Sequence, residues 1–298
     1  HRAGVHRQGE AVGMTASAAG SAQSSGRARA PGTSSDALEC CVAKARSTLL
    51  ALAVGLLPAS ALQAQEAAQA VDNGTDPTKF SRLAEAKYEY LDLRDGFSSS
   101  TLRLSYTHPI GEKRDYSLRF RALATSVDVF GNEQYGVGDV SVQLAHVFGL
   151  TKEHGFVVQG ELFFNTAQRP ELGSGKNAFK GTLIYARFLE NGSIFAPAFV
   201  QNNSFSGDKS RPDINLTTLD FYYVPKFADS RNLMTFDPAL NFDWENDKRF
   251  FSLQVTAGRV IGKAFGGNAI LFIKPSVFVG SDRPSSWGLE LGYKVLGF

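Results

Sequence analysis

From Ala84 to Phe298 the sequence repeats one pattern: segments of about ten residues in which apolar and polar side chains alternate, separated by turn-forming residues. Successive side chains of a strand point to opposite faces, so period two produces an amphipathic strand, and about ten residues suffice to cross a bilayer at a tilt. Twelve such segments are readable, near 84–93, 100–110, 115–128, 136–149, 155–166, 179–189, 193–204, 213–227, 233–245, 249–261, 268–280 and 286–297. The ninth is the plainest. Met234, Phe236, Pro238, Leu240, Phe242 and Trp244 share one face, and Thr235, Asp237, Ala239, Asn241, Asp243 and Glu245 share the other.

Two all-β architectures use such strands. A soluble sandwich hides the apolar face in a core, whereas a transmembrane barrel turns it to lipid and points the polar face into a wet lumen. The links between segments favour the second. Short ones (111–114, 151–154, 190–192, 229–232) alternate with mostly longer ones, including 168–177 and 204–212. That alternation, on an even strand count, predicts a transmembrane antiparallel up-and-down β-barrel of about 12 strands over residues 84–298, with short periplasmic turns and longer outer loops. Asn246-Asp247-Lys248 is the exception, a tight hairpin on the outer side. After residue 65 no run approaches the 18 or more apolar residues of a membrane helix. A hydrophobic fraction of 43% against 20% charged residues excludes a disordered chain.

The region upstream has a different character. Lys44 and Arg46 precede an apolar core from Leu49 to Leu57, followed by the small residues of 58–64, the layout of a cleavable signal peptide over 42–64. The expected cut follows Ala64, with Ala61 as second choice. Residues 1–41 have no hydrophobic period and are expected to be upstream non-native or unstructured sequence, with Val42 as the start. Cleavage takes Arg2, Arg7, Arg27, Arg29, Lys44 and Arg46 from the 31 basic residues and Glu10, Asp36 and Glu39 from the 29 acidic ones, so the basic surplus disappears. No nucleic-acid partner is therefore expected. Cys40 and Cys41 go as well, which fits export to the bacterial outer membrane. Residues 65–83, with the turn signal Asp72-Asn73-Gly74-Thr75-Asp76-Pro77, are either a periplasmic tail or a small plug.

The polar faces give the candidate pore-lining set. Lys87 and Glu89 come from the first segment, Arg103 from the second, Arg119 and Arg121 from the third, Asp139 and Glu161 from the fourth and fifth, Asp220 from the eighth, and Asp237, Asp243 and Glu245 from the ninth. The basic group centres on segments two and three and the acidic group on eight and nine. Six strands apart in a twelve-stranded ring means opposite walls, so a transverse field across the lumen is expected. The competing expectation is that these charges pair with each other and fill the lumen.

Catalytic chemistry finds little support. A lipid hydrolase needs a serine activated by a histidine, and after cleavage only His108, His146 and His154 remain, all near the expected periplasmic ends, where interfacial rings are common. No cofactor or metal is expected: there is no cysteine, no histidine pair at ligand spacing, and Gly173-Ser174-Gly175-Lys176 lacks phosphate-loop spacing. A structural or adhesive barrel, binding partners through 168–177 and 204–212, is the remaining alternative; one of these loops folding inward as a constriction is another role for them.

Four motifs occur in order: Gly136-Val137-Gly138-Asp139, Leu172-Gly173-Ser174-Gly175-Lys176, Arg211-Pro212-Asp213-Ile214-Asn215 and Trp287-Gly288-Leu289-Glu290-Leu291-Gly292. With these the chain resembles a family of bacterial outer-membrane barrels described as transporters of the meta-pathway of phenol degradation, some mislabelled neuromedin U. The resemblance implies a channel for passive passage of small solutes, aromatic or hydrophobic ones among them, and carries no catalytic residue. Expected partners are such a solute, outer-membrane lipid and lipopolysaccharide, and the barrel assembly machinery, addressed by a C-terminal strand ending at Phe298. Leu296 and Phe298 are out of phase with Trp287–Val295, a slip expected to be absorbed by a bulge at Gly297.

Overall fold

The computed structural model describes residues 71–129 and 132–298; the expected leader, the segment before it and residues 65–70 lie outside the described residues. Thirteen strands follow one another: β1 (Leu83–Arg94), β2 (Phe97–Ile110), β3 (Tyr116–Val129), β4 (Asn132–Val137), β5 (Val140–Phe148), β6 (His154–Phe164), β7 (Lys176–Phe188), β8 (Ile194–Gly207), β9 (Asn215–Val224), β10 (Asn232–Asp243), β11 (Lys248–Ala264), β12 (Gly267–Val279) and β13 (Trp287–Leu296). Consecutive strands pair antiparallel, except that β5 pairs with β3 rather than with β4, and β1 pairs with both β2 and β13, from Leu83↔Leu296 to Asp92↔Trp287. The sheet therefore closes, and no strand edge of the ring is left open.

Twelve of the strands make the ring, and β4 is the extra one. The expected fourth strand is broken at Gly138-Asp139. Val137 stands opposite Ala124 and Ser141 opposite Arg121, so four steps along β4–β5 match three along β3. This is a one-residue bulge. Beyond it β4 follows β3 alone, while β5 continues the ring to β6.

The two faces are inverted relative to a soluble protein. Leu102, Leu104, Phe120, Leu144, Leu183, Phe199, Leu240, Leu271 and Leu291 are exposed on the outside, while Thr101, Ser141, Gln143, Glu161, Asn202, Thr218, Asn241, Ser276 and Glu290 are buried inside. A strand in this arrangement gains stability only where the outer solvent is lipid, which decides for the transmembrane barrel over the sandwich. Among the described residues no helix is long and apolar enough to cross a membrane. At the end holding both the N-terminal segment and Phe298, aromatic rings make a band on the outer face. Tyr116 stacks on His146 at 4.1 Å, and Phe156 lies 5.5 Å from Phe148 and 5.2 Å from Tyr185. Amphipathic rings settle at the headgroup level.

The turns follow local chemistry. Asp95-Gly96 closes β1–β2 with positive φ at both residues (52° and 84°), the two-residue hairpin that Asp-Gly favours. The β10–β11 connection is the expected tight turn, capped by Asp243: its Oδ1 accepts the amides of Glu245 and Asn246 at 3.2 Å.

Two segments turn into the barrel's ends. At the outer end the loop after β6 carries a short 3-10 turn, Pro170–Leu172, and Leu172, fully buried, packs against Val127 on the inner face of β3. At the other end residues 71–82 touch strands around the mouth. The Val71 amide donates to Ser230 Oγ, Asn73 Nδ2 to the Asn232 carbonyl, Asn268 Nδ2 to the Asp72 carbonyl and Tyr222 Oη to the Thr75 carbonyl, while Thr78 lies against Gly155 of β6. Val71 and Leu83 also pack on a cluster of Leu233, Val260, Ile270 and Leu296.

That cluster corrects the reading of the last strand. The β13 ladders run without a register shift, so no bulge absorbs the slip at Gly297. Leu296 instead faces inward with the cluster. Gly297 leaves the strand with φ 76°, its amide bonded to the Arg82 carbonyl, and Arg82 Nη1 donates to the Phe298 carbonyl.

Candidate functional site

Inward positions near the middle of the strands form a charged belt. β1 supplies Glu85, Lys87 and Glu89, β2 Arg103, β3 Arg119 and Arg121, β6 Glu161 and β7 Lys180. β9 and β10 supply Asp220 and Asp237, β11 Gln254, β12 Lys274, and β13 Glu290 and Lys294. Many are direct cross-strand partners: Glu85↔Lys294, Glu89↔Glu290, Lys87↔Arg103, Glu161↔Lys180, Asp237↔Gln254 and Lys274↔Glu290. Apolar layers lie above and below, built on Val127 with Leu172 and on Leu233 with Ile270.

One arc of the belt is knitted together. Glu161, 1% exposed, accepts from Arg121 Nη1 and from Ser141 Oγ at 2.7 Å, and forms an ion pair with Lys180 Nζ at 2.7 Å. Arg121 Nη2 also reaches Gln143 Oε1 at 3.0 Å, and Lys180 lies over the Phe163 ring. Lys87 stands 3.3 Å from Glu290 and 4.0 Å from Glu85; Arg103 stands 3.6 Å from Glu89. Arg119 donates through Nε to Thr107 Oγ1 at 2.7 Å.

The opposite arc is not. β8, β9 and β10 contain no lysine or arginine. Asp220 faces Ala239 across the ladder, so Asp237, two residues on, is its diagonal neighbour, within side-chain reach. Asp220 Oδ1, Asp237 Oδ1 and Gln254 Oε1 are buried without a hydrogen-bond partner, and so is Arg103 Nη2 on the other wall. Lys274, whose charge acts on Asp220, stands across the ladder from Glu290.

The structure thus holds parts of both sequence-level expectations. Arg103, Arg119 and Arg121 do stand six strands from Asp220 and Asp237 around the ring, but the basic arc is largely compensated by Glu85, Glu89, Glu161 and Glu290. Lys87, Arg103, Arg119, Arg121, Glu161, Asp220 and Asp237 lie in the belt. Asp139 and Asp243 do not: both are buried at the outer end, occupied by backbone amides. Glu245 lies beyond β10, exposed in the turn. Sequence reasoning passed over Glu85, Lys180, Lys274, Glu290 and Lys294, though each falls in phase with its strand's polar face.

Asp139 organises the outer loop. Its Oδ1 accepts the amides of Thr166 (3.0 Å) and Ala167 (3.1 Å), and its Oδ2 accepts the amide (2.8 Å) and hydroxyl (3.0 Å) of Ser174. Lys176 Nζ donates to Asp213 Oδ1 at 2.7 Å, and Arg211 Nη2 to the carbonyls of Pro170 and Gly173. Three of the four sequence motifs therefore meet in one cluster that seats Leu172. The Lys176 hydrogen bond holds the Asp213 carboxyl below its ordinary range.

The histidines lie on or near the aromatic band. His146 Nδ1 is 3.2 Å from the Asp115 carbonyl, His154 Nδ1 is 3.4 Å from Thr151 Oγ1, and His108 stands beside the Tyr106 hydroxyl. Among the described residues no serine hydroxyl bonds to a histidine, and no group of three metal-ligating side chains comes together.

No family model matches the sequence, and no curated protein matches it. Solved structures do. An outer-membrane channel from Pseudomonas putida F1 superposes with a TM-score of 0.60 at 13% identity, over 76% of this chain and 99% of that one. The KdgM porin, solved in complex with disordered oligogalacturonate, gives 0.50 at 10% identity, over 72% and 98%. At such identities the likeness is one of fold: a closed barrel of the kind found in the outer membrane.

Proposed function

We propose that this barrel resides in the bacterial outer membrane and is a channel for passive passage of small solutes, not an enzyme. One observation carries the reading: the polar side chains are turned inward into a belt with unmet hydrogen-bonding capacity, and the apolar ones outward. Such a wall is costly to build unless something polar occupies the lumen. The fold shared with a known channel and a porin supports it.

Within this reading the belt residues Lys87, Arg103, Arg119, Arg121, Glu161, Asp220 and Asp237 line the path. Residues 71–82 act as the plug rather than the tail, because they hydrogen-bond to β9, β10 and β12 and pack through Thr78 against Gly155 of β6. Leu172 narrows the other end. The strand ending at Phe298 is the part offered to the assembly machinery, and the outer face contacts lipid and lipopolysaccharide. The sequence resemblance adds aromatic or hydrophobic molecules to the candidate solutes.

Swelling of proteoliposomes in neutral and aromatic solutes tests this. Entry well above that of protein-free vesicles is expected. Entry equal to them, with protein shown to be folded by a heat-modifiable gel shift, overturns it.

A further inference from the structure

Resting on the channel reading, we propose that the belt is a recognition station for small dipolar solutes that carry an ammonium at one end and an anionic group at the other. The ammonium end is received by Asp220, Asp237 and Gln254, and the anionic end by Arg103 and Arg119.

The argument starts from what the belt leaves unmatched. Asp220 and Asp237 are diagonal neighbours of like charge, and β8, β9 and β10 offer them no cation. Each has a buried oxygen without a hydrogen-bond partner, and so has Gln254, the ladder partner of Asp237. Three buried acceptor oxygens on one stretch of wall thus go without a donor, although the Gln254 side chain also carries an amide NH2 and the field of Lys274 on β12 reaches Asp220. An ammonium has three donors and no acceptor, which is the complement.

Across the lumen the need is reversed. Arg103 Nη2 is buried without a hydrogen bond, the Glu89 carboxylate standing 3.6 Å off, and Arg119 is tied through Nε alone, to Thr107. Guanidinium groups have only donors, arranged as a fork that fits carboxylate, sulfonate or phosphate oxygens. A lone cation or anion would satisfy one wall and be left without a partner at the other. A solute bearing both groups meets both walls and brings no net charge into a low-dielectric site.

The probes are taurine, which holds an ammonium and a sulfonate, and erythritol, a neutral solute of comparable size. Neither creates a diffusion potential, so swelling rates of proteoliposomes compare directly. Taurine is expected to enter about fivefold faster than erythritol, the ratio that one partly exposed charge pair of about 1 kcal/mol supports. The ratio should fall toward one in D220N/D237N and in R103Q/R119Q, each checked for folding by gel shift. A wild-type ratio near one, or a raised ratio untouched by both double variants, overturns the station and leaves the channel standing. Entry of neither solute overturns the channel reading itself.

Discussion

Replacing Glu161 by glutamine removes one carboxylate and strands two cations. In the folded barrel Glu161 serves Arg121, Lys180 and the Ser141 hydroxyl from a position 1% exposed, so no solvent takes over its role. Breaking a buried ion pair by removing one partner costs about 3–5 kcal/mol. Arg121 and Lys180 are themselves about a fifth exposed, which screens part of the loss and places the expectation near 3 kcal/mol. With a urea dependence of about 2 kcal/mol per molar, E161Q should unfold about 1.5 M earlier. The assay is urea unfolding in vesicles, with folded protein read from unheated gels. Adding K180Q removes one of the stranded charges, so E161Q/K180Q should recover part of the loss and be less unstable than the sum of the single variants. If E161Q unfolds within about 0.3 M of the wild type, or the two changes simply add, the belt is not the coupled network described here.

Other outcomes follow from the same contacts. D139A deprives three loop amides of a charged acceptor, and a loss of about 3 kcal/mol in local stability should speed hydrogen exchange at Thr166, Ala167 and Ser174 by about a hundredfold, with the barrel intact; unchanged exchange would show that Asp139 does not hold the loop. Because the Asp213 carboxyl is held below its ordinary range in the folded loop, the Lys176 bond contributes above the unfolded value and is lost as pH falls through the folded one. NMR titration of Asp213 should therefore give a midpoint below 3.8 that moves upward in K176M, and equal midpoints would remove the pair from the account. N73A/N268A, which frees the inner segment from β10 and β12, should raise channel conductance; a conductance identical to wild type would mean that residues 71–82 do not restrict the path.

Much of the wall could be read in advance because one force wrote it. Lipid outside and water inside impose period two on every strand, so β10 was legible from Met234 to Asp243 without reference to any other segment. The break at Gly138-Asp139 was not, because its cause lies elsewhere in the chain: the carboxylate that ends the bulge is held by amides of a loop some 35 residues later. Leu296 was misread for a similar reason. Its phase is set by Val71 and Ile270, which share no local pattern with it. The belt was half visible. Opposed signs on segments two to three and eight to nine could be counted, but the pairing of Glu161 with Arg121 and Lys180 depends on β3, β6 and β7 being brought into register through β5.

The central claim is that this chain encloses a conducting path across the outer membrane. Planar-bilayer recording of the purified, gel-shift-positive protein tests it most directly. Discrete conductance steps, larger in N73A/N268A, are the result this account requires. A folded protein that inserts and stays electrically silent, in both the wild type and that variant, would contradict it.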